Sequence, residues 1–203
     1  TVQDENATKH YVEHINALGY QVVSGGAKGV DTCSMLASLN TGHAAIGVVA
    51  DNLFRDSALN QWRQHLKDKR LALISPFYPE GGFTPANAMA RNKYIYLLSQ
   101  ATIVVTSGEK GGTWEGANEN LKKNWVNLLV STHQEPLQAG NRMLLNGFPK
   151  NDAMAKPISI NDSADIVSHL ICGTEVTKVA NPPSSASAQA DMFSFDDDES
   201  GQA

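Results

Sequence analysis

Apolar positions in this chain follow two rhythms in turn. At residues 3–18, Tyr11, Val12, Ile15 and Leu18 fall at helical spacing and Gly19 stands where a helix stops, so the chain opens on an amphipathic helix. Short apolar runs follow at 20–23, 45–50, 71–75, 103–106 and 126–130, with the length and branched side chains of strands. Between them, 31–39, 57–70, 86–99 and 113–123 carry helical spacing. Runs such as Ile103, Val104 and Val105 are apolar without alternation, as in a parallel sheet covered on both faces. The series predicts an α/β chain with a Rossmann-like, doubly wound and mostly parallel sheet.

The pattern weakens after residue 130. A short helix at 137–147, a last strand at 157–160 and a closing helix at 164–171, ended by Gly173, complete the reading. Residues 1–175 form one domain on this view. Residues 176–203 are a flexible linker and a disordered acidic tail, because PPSSASAQA at 182–190 lacks the apolar surface that folding requires. A doubly wound sheet ordinarily starts with a strand feeding its first helix, whereas here helical pattern begins at once. A segment ahead of Thr1 is therefore expected.

Composition narrows the picture modestly. A chain of 203 residues buries one core, and no apolar run approaches the roughly 18 residues a membrane span needs, so a cytoplasmic protein without membrane contact is expected. Cys33 and Cys172 have no metal spacing and read as buried thiols. The net charge of −5 is uneven: Asp191, Asp196, Asp197, Asp198 and Glu199 lie beyond the last base, Lys178, and without them acids and bases balance. A neutral body excludes neither a nucleotide nor a DNA strand, because a local patch sets the field at a site.

Two glycine-rich turns carry the chemistry. SGGAKGVD at 24–31 joins a strand to a helix, so Ser24, Gly25, Gly26 and Gly29 bring backbone N–H groups and a helix N-terminus toward a ligand, while Lys28 adds a full charge. SGEKGGTWE at 107–115 repeats the arrangement with Lys110, Gly111, Gly112 and Thr113. Either alone is equally a tight turn; two at one sheet edge point to a shared anion site. Arg91, Asn92 and Lys93 form a third group, in which Arg91 suits a phosphate by its planar fork and Lys93 by its point charge. Phe77, Tyr78 and Trp114 are candidate platforms for stacked bases. The sequence of residues 10–14 fits the H-x-x-E-H pattern of zinc peptidases, but the helix's apolar spacing accounts for it and no third ligand is evident, so no metal is expected.

SGGAKGVD, AIGVVADNL, LALISPFYPEGGFTP, ARNKYIYLLSQATIVVTSG and GGTWEGANENLKK resemble, in order and spacing over about residues 20–131, the DprA/Smf family of DNA-processing proteins within the SLOG superfamily. The resemblance implies a Rossmann-like domain that binds single-stranded DNA, forms dimers or higher homo-oligomers and helps load a RecA-type recombinase, with no catalysis and no cofactor. It implies phosphate binding at Ser24, Gly25, Gly26, Lys28, Gly29, Arg91, Asn92, Lys93, Gly111, Gly112 and Thr113, and Lys110 joins them by its charge on the second turn. The chain departs from the pattern in lacking the first strand with its Gly/Ser-x-Arg loop and a winged-helix tail. The runner-up is a SLOG-type nucleotide-binding or nucleotide phosphoribohydrolase protein, because Gly111, Gly112, Thr113 and Glu115 resemble a compressed GGxGTxxE loop. The acidic tail, with Phe193 and Phe195 beside its acids, is either a solvated end or an imitation of single-stranded DNA.

Overall fold

The computed structural model describes residues 1–147 and 155–173. The expected linker and tail lie outside the described residues. The chain opens on α1 (Val2–Ala17), where Thr1 and Asp4 form a capping box, and Gly19 adopts φ +85° just beyond it. Strands and helices then alternate as β1 (Val22–Ser24), α2 (Val30–Asn40), β2 (Ala45–Val48), α3 (Leu53–Ala58), α4 (Asn60–Lys67) and β3 (Leu71–Ile74). The second half holds α5 (Pro85–Leu97), β4 (Ala101–Val104), α6 (Gly112–Lys123), β5 (Asn127–Ser131), α7 (Ala139–Leu145), β6 (Lys156–Ile158) and α8 (Ala164–Cys172).

Nearly every expected element is present within a few residues. The helix expected at 57–70 is two pieces: Asn52 caps α3 through the Arg55 N–H, and extended backbone at Leu59 breaks the run before α4. All strand pairs are parallel, as expected, but they form two three-stranded sheets, β1-β2-β3 and β4-β5-β6, instead of one. Among the described residues no strand joins β1 to β4. The chain crosses this break with α1: Ala7 and Tyr11 pack against Val105, Leu129 and Ile158, Val12 packs with Val22 and Met35, and Ile15 touches both groups.

Alternation along the strands places helices on both faces. Leu128 and Val130 meet Trp114, Ala117 and Leu121 of α6, whereas Leu129 meets Tyr11 of α1 and Val167 of α8. This sandwich buries β5 almost completely and leaves β3 with Ala72 and Ile74 exposed on an outer edge. The carboxyl ends of β1, β2 and β4 consequently share one rim, and the glycine turns leave from it.

Candidate functional site

The first turn, residues 25–29, needs its glycines for distinct reasons. Gly26 and Gly29 hold φ of +69° and +95°, where an L side chain is strained. A Cβ on Gly25 would lie 2.6 Å from Arg91 Nη1 and from Asp31 Oδ2. Gly29 is the N-cap of α2 and no side chain bonds to that helix end. The second turn mirrors it: Gly111, at φ +103°, is the N-cap of α6, again without a side-chain cap. Each helix thus presents N–H groups and about half a positive charge at its start.

Both starts open on one cleft of about 1420 Å³, lined by Gly25, Gly26, Lys28 and Gly29 on one side and by Gly111, Gly112 and Thr113 on the other. Ser24 is buried beneath the first turn. The cleft is electrically mixed. Lys28 is exposed and enters no ion pair among the described residues, while Asp31, Asp51 and Glu115 also line the walls.

Arg91 corrects the sequence-based mechanism. It does not reach out into solvent; it is 6% exposed at the base of the cleft, and its Nη1 donates to the carbonyl oxygens of Gly25, at 2.5 Å, and Val48. Burial lowers the guanidinium pKa, and Asp31 and Asp51 partly oppose that by their charge. Arg91 therefore clamps the ends of β1 and β2. Asn92 continues the clamp: it accepts from Arg91 Nε at 3.3 Å and its Nδ2 donates to Gly112 O at 3.1 Å. Two adjacent residues of α5 thereby tie the first turn to the second.

The other expected cations stand apart from the cleft walls. Lys93 is exposed, its Nζ 4.9 Å from the Tyr94 ring centroid, and Lys110 is exposed on the second turn. Trp114 is a core residue of α6, not a stacking platform. Tyr78 is 73% exposed, and Phe83, which sequence reasoning passed over, is 62% exposed and lines the cleft. Two further positions were missed. Asn141 of α7 accepts from Ser107 N–H at 2.8 Å and donates to Val105 O and Ser131 O, and a Cβ on Gly140 would meet Gly108 O at 2.2 Å. Together they press α7 against the second turn. Gly140 and Asn141, adjacent in a stretch without a motif, gave no signal; only proximity to the second turn reveals them.

His10 and His14 are engaged elsewhere: His10 Nε2 lies 2.5 Å from Ile160 O and His14 Nδ1 lies 3.1 Å from His10 O. Among the described residues no group of three or more His, Cys, Asp or Glu is placed to hold a metal, and no helix is long and apolar enough to cross a membrane.

Solved structures share this architecture. DNA processing protein A from Streptococcus pneumoniae superposes with a TM-score of 0.66 at 20% identity, over 83% of this chain and 57% of that one. The chain thus spans little more than half of that relative. DNA processing protein A from Helicobacter pylori, described by its single-stranded DNA binding mode, gives 0.66 at 19% identity, over 86% of this chain and 77% of that one. A molybdenum cofactor binding protein from Rippkaea orientalis gives 0.57 at 15% identity, over 85% and 88%. These likenesses establish the fold. Comparison with curated proteins finds no match. Residues 1–168 match the family of DNA recombination-mediator protein A, to which this chain belongs.

Proposed function

We propose that the chain binds single-stranded DNA at the cleft between its glycine turns and serves DNA processing or recombination, without catalysis and without a cofactor. The convergence of two uncapped helix starts on one cleft, beside the exposed Lys28, carries this reading. Backbone N–H groups at Gly25, Gly26, Gly29, Gly111 and Gly112, with the Thr113 hydroxyl, hold successive phosphates, and Lys28 neutralises them. Lys93 and Lys110 act further along the strand. Arg91 and Asn92 set the spacing of the turns. Phe83 and Tyr78 offer stacking surfaces worth about 1–3 kcal/mol per base.

Membership of the family and the Helicobacter pylori relative support this reading. A cytoplasmic location, a RecA-type recombinase as partner and self-association belong to the same proposal. For self-association, Tyr94, Leu97 and Leu98 form an exposed apolar end of α5. Fluorescence anisotropy with single-stranded DNA, and with duplex DNA, RNA and nucleoside monophosphates as competitors, tests it. Binding only to free nucleotides would reject it. Glu115 on the cleft wall favours a second reading, nucleotide cleavage, and release of base from a nucleoside monophosphate that is lost in Glu115→Gln would establish that instead.

A further inference from the structure

Charge is unevenly spread over the part of the molecule that α2 and α4 cover. Between Asp31 and Asp51 the chain has no Asp, Glu, Lys or Arg, and between Asp56 and Glu80 it has Arg63, Lys67, Lys69 and Arg70 against the single acid Asp68. Asp68 is already engaged: it accepts from Gln64 Nε2 at 2.7 Å and from Arg70 Nη2 at 3.2 Å. Arg63, Lys67 and Lys69 are exposed and enter no ion pair among the described residues. Ordinary helix chemistry explains part of this, because a helix carboxyl end favours cations, and Lys67 lies in the last turn of α4. It does not explain Arg63, one turn earlier, or Lys69, which is held at φ +58° just beyond the helix. The N–H groups of Lys69 and Arg70 close α4 on Leu66 O and His65 O, an ending whose left-handed residue is ordinarily glycine or asparagine. The other described non-glycine residues at positive φ are Asn52 and Asn124. A lysine therefore stands where its side chain burdens the backbone, and that side chain makes no ion pair in return.

We propose that Arg63, Lys67, Lys69 and Arg70 form a second phosphate-binding surface, which takes single-stranded DNA where the strand leaves the cleft and runs along α2. The occupant rests on the proposed function; the placement rests on the fold. α2 begins at the cleft with Gly29, and near its far end Leu39 O accepts from Arg70 Nη1 at 2.6 Å. The 11 residues of α2 span about 16 Å, with no fixed charge after Asp31 to repel the strand. Arg63 and Lys67 are one turn apart on a single stripe of α4, so successive phosphates meet them in line.

The chemistry of α4 selects a nucleic acid over other polyanions. Its exposed residues are Asn60, Gln61, Arg63, Gln64 and Lys67, all polar, while Trp62 and Leu66 pack into the core. An acidic protein segment docks on apolar anchors, and a lipid surface takes the apolar face of a helix; α4 offers neither. Amide side chains interleaved with cations suit phosphate and sugar oxygens.

The test is a triple variant of the full chain, Arg63→Gln, Lys67→Gln and Lys69→Gly, titrated by anisotropy with the shortest oligothymidylate that binds and with one about four times as long. Affinity for the long strand is expected to fall about tenfold or more and its log–log salt slope to drop by about 2, while the short strand keeps its affinity within about twofold. Loss for both lengths alike, or for neither, overturns the proposal. Lys28→Glu tells this surface from the cleft: it should weaken both lengths, and if it weakens neither while the triple variant still loses the long strand, the cleft reading fails and the surface on α4 stands. Polyglutamate that displaces the long strand as well as unlabelled oligothymidylate does makes α4 a seat for acidic protein and overturns the choice of nucleic acid. Lys69→Gly alone should raise Tm by about a degree or more, because glycine relieves the left-handed backbone, and should still weaken the long strand; a raised Tm with unchanged affinity removes Lys69 from the surface. Should the triple variant fail to fold, the unaltered chain is treated with an acetylating reagent and read by mass spectrometry. The long strand, and not the short one, should protect the Lys67 and Lys69 amines; no protection overturns the proposal.

Discussion

Lys28 and Arg91 are both cations near the same turn, and their surroundings give them different work. Lys28 is exposed at the cleft, so Lys28→Glu should weaken binding of every single strand about tenfold or more and reduce the log–log salt slope by about 0.7. Anisotropy titrations at several salt concentrations measure both. Arg91 is buried against two carbonyl oxygens, so Arg91→Ala should cost about 2–4 kcal/mol in urea unfolding, because charged donors to those carbonyls are lost. Arg91→Lys separates positioning from direct contact: affinity should fall while the salt slope stays unchanged. A slope reduced as in Lys28→Glu would place Arg91 on the phosphate. Residue type and motif exposed Arg91 in the sequence, but its partners lie 66 and 43 positions away, and charge alone pointed it at a ligand.

At the scale of elements, the second turn depends on α7. Asn141 satisfies Ser107 N–H and two strand carbonyls at once, so Asn141→Leu leaves three buried groups unpaired and should cost about 3 kcal/mol, measured by urea unfolding. Periodicity made most elements legible, since the alternation of strand runs with helical spacing survives in residues as plain as Ile103 and Leu121. Boundaries moved where local bonding intervened, as at Asn52 and Leu59, which divide α3 from α4. The glycine turns were legible because positive φ admits few other residues. The clamp through Asn92 and the support from Gly140 were not, because neither leaves a repeating pattern in the chain.

For the molecule as a whole, two buried phenols set an alkaline limit. Burial raises the pKa of Tyr96, with Asp31 and Glu119 adding to it, and burial likewise raises that of Tyr11 against the opposing Ser131 hydrogen bond. Both groups hold their protons more tightly in the folded chain, so their contribution is complete below an ordinary phenol pKa and is lost as pH climbs toward the folded values. Stability should therefore decline above about pH 10, and Tyr11→Phe and Tyr96→Phe should each flatten that decline in unfolding curves collected across the alkaline range. The division into two half-sheets leaves no mark on the apolar runs of β1 and β4, which read alike whether the strands lie in one sheet or two.

Arg91 and Asn92 sit side by side on one helix, and each grips a different corner of the site. The corners are accordingly held at a set separation, and on the proposed function they act as a gauge for charge spacing. On that proposal a ligand with a single phosphate engages one corner. One with two phosphates at the matching interval brings the second in at high effective concentration, so affinity should rise far more from one phosphate to two than from two to three. Oligonucleotides graded in length, titrated by calorimetry, would trace that step.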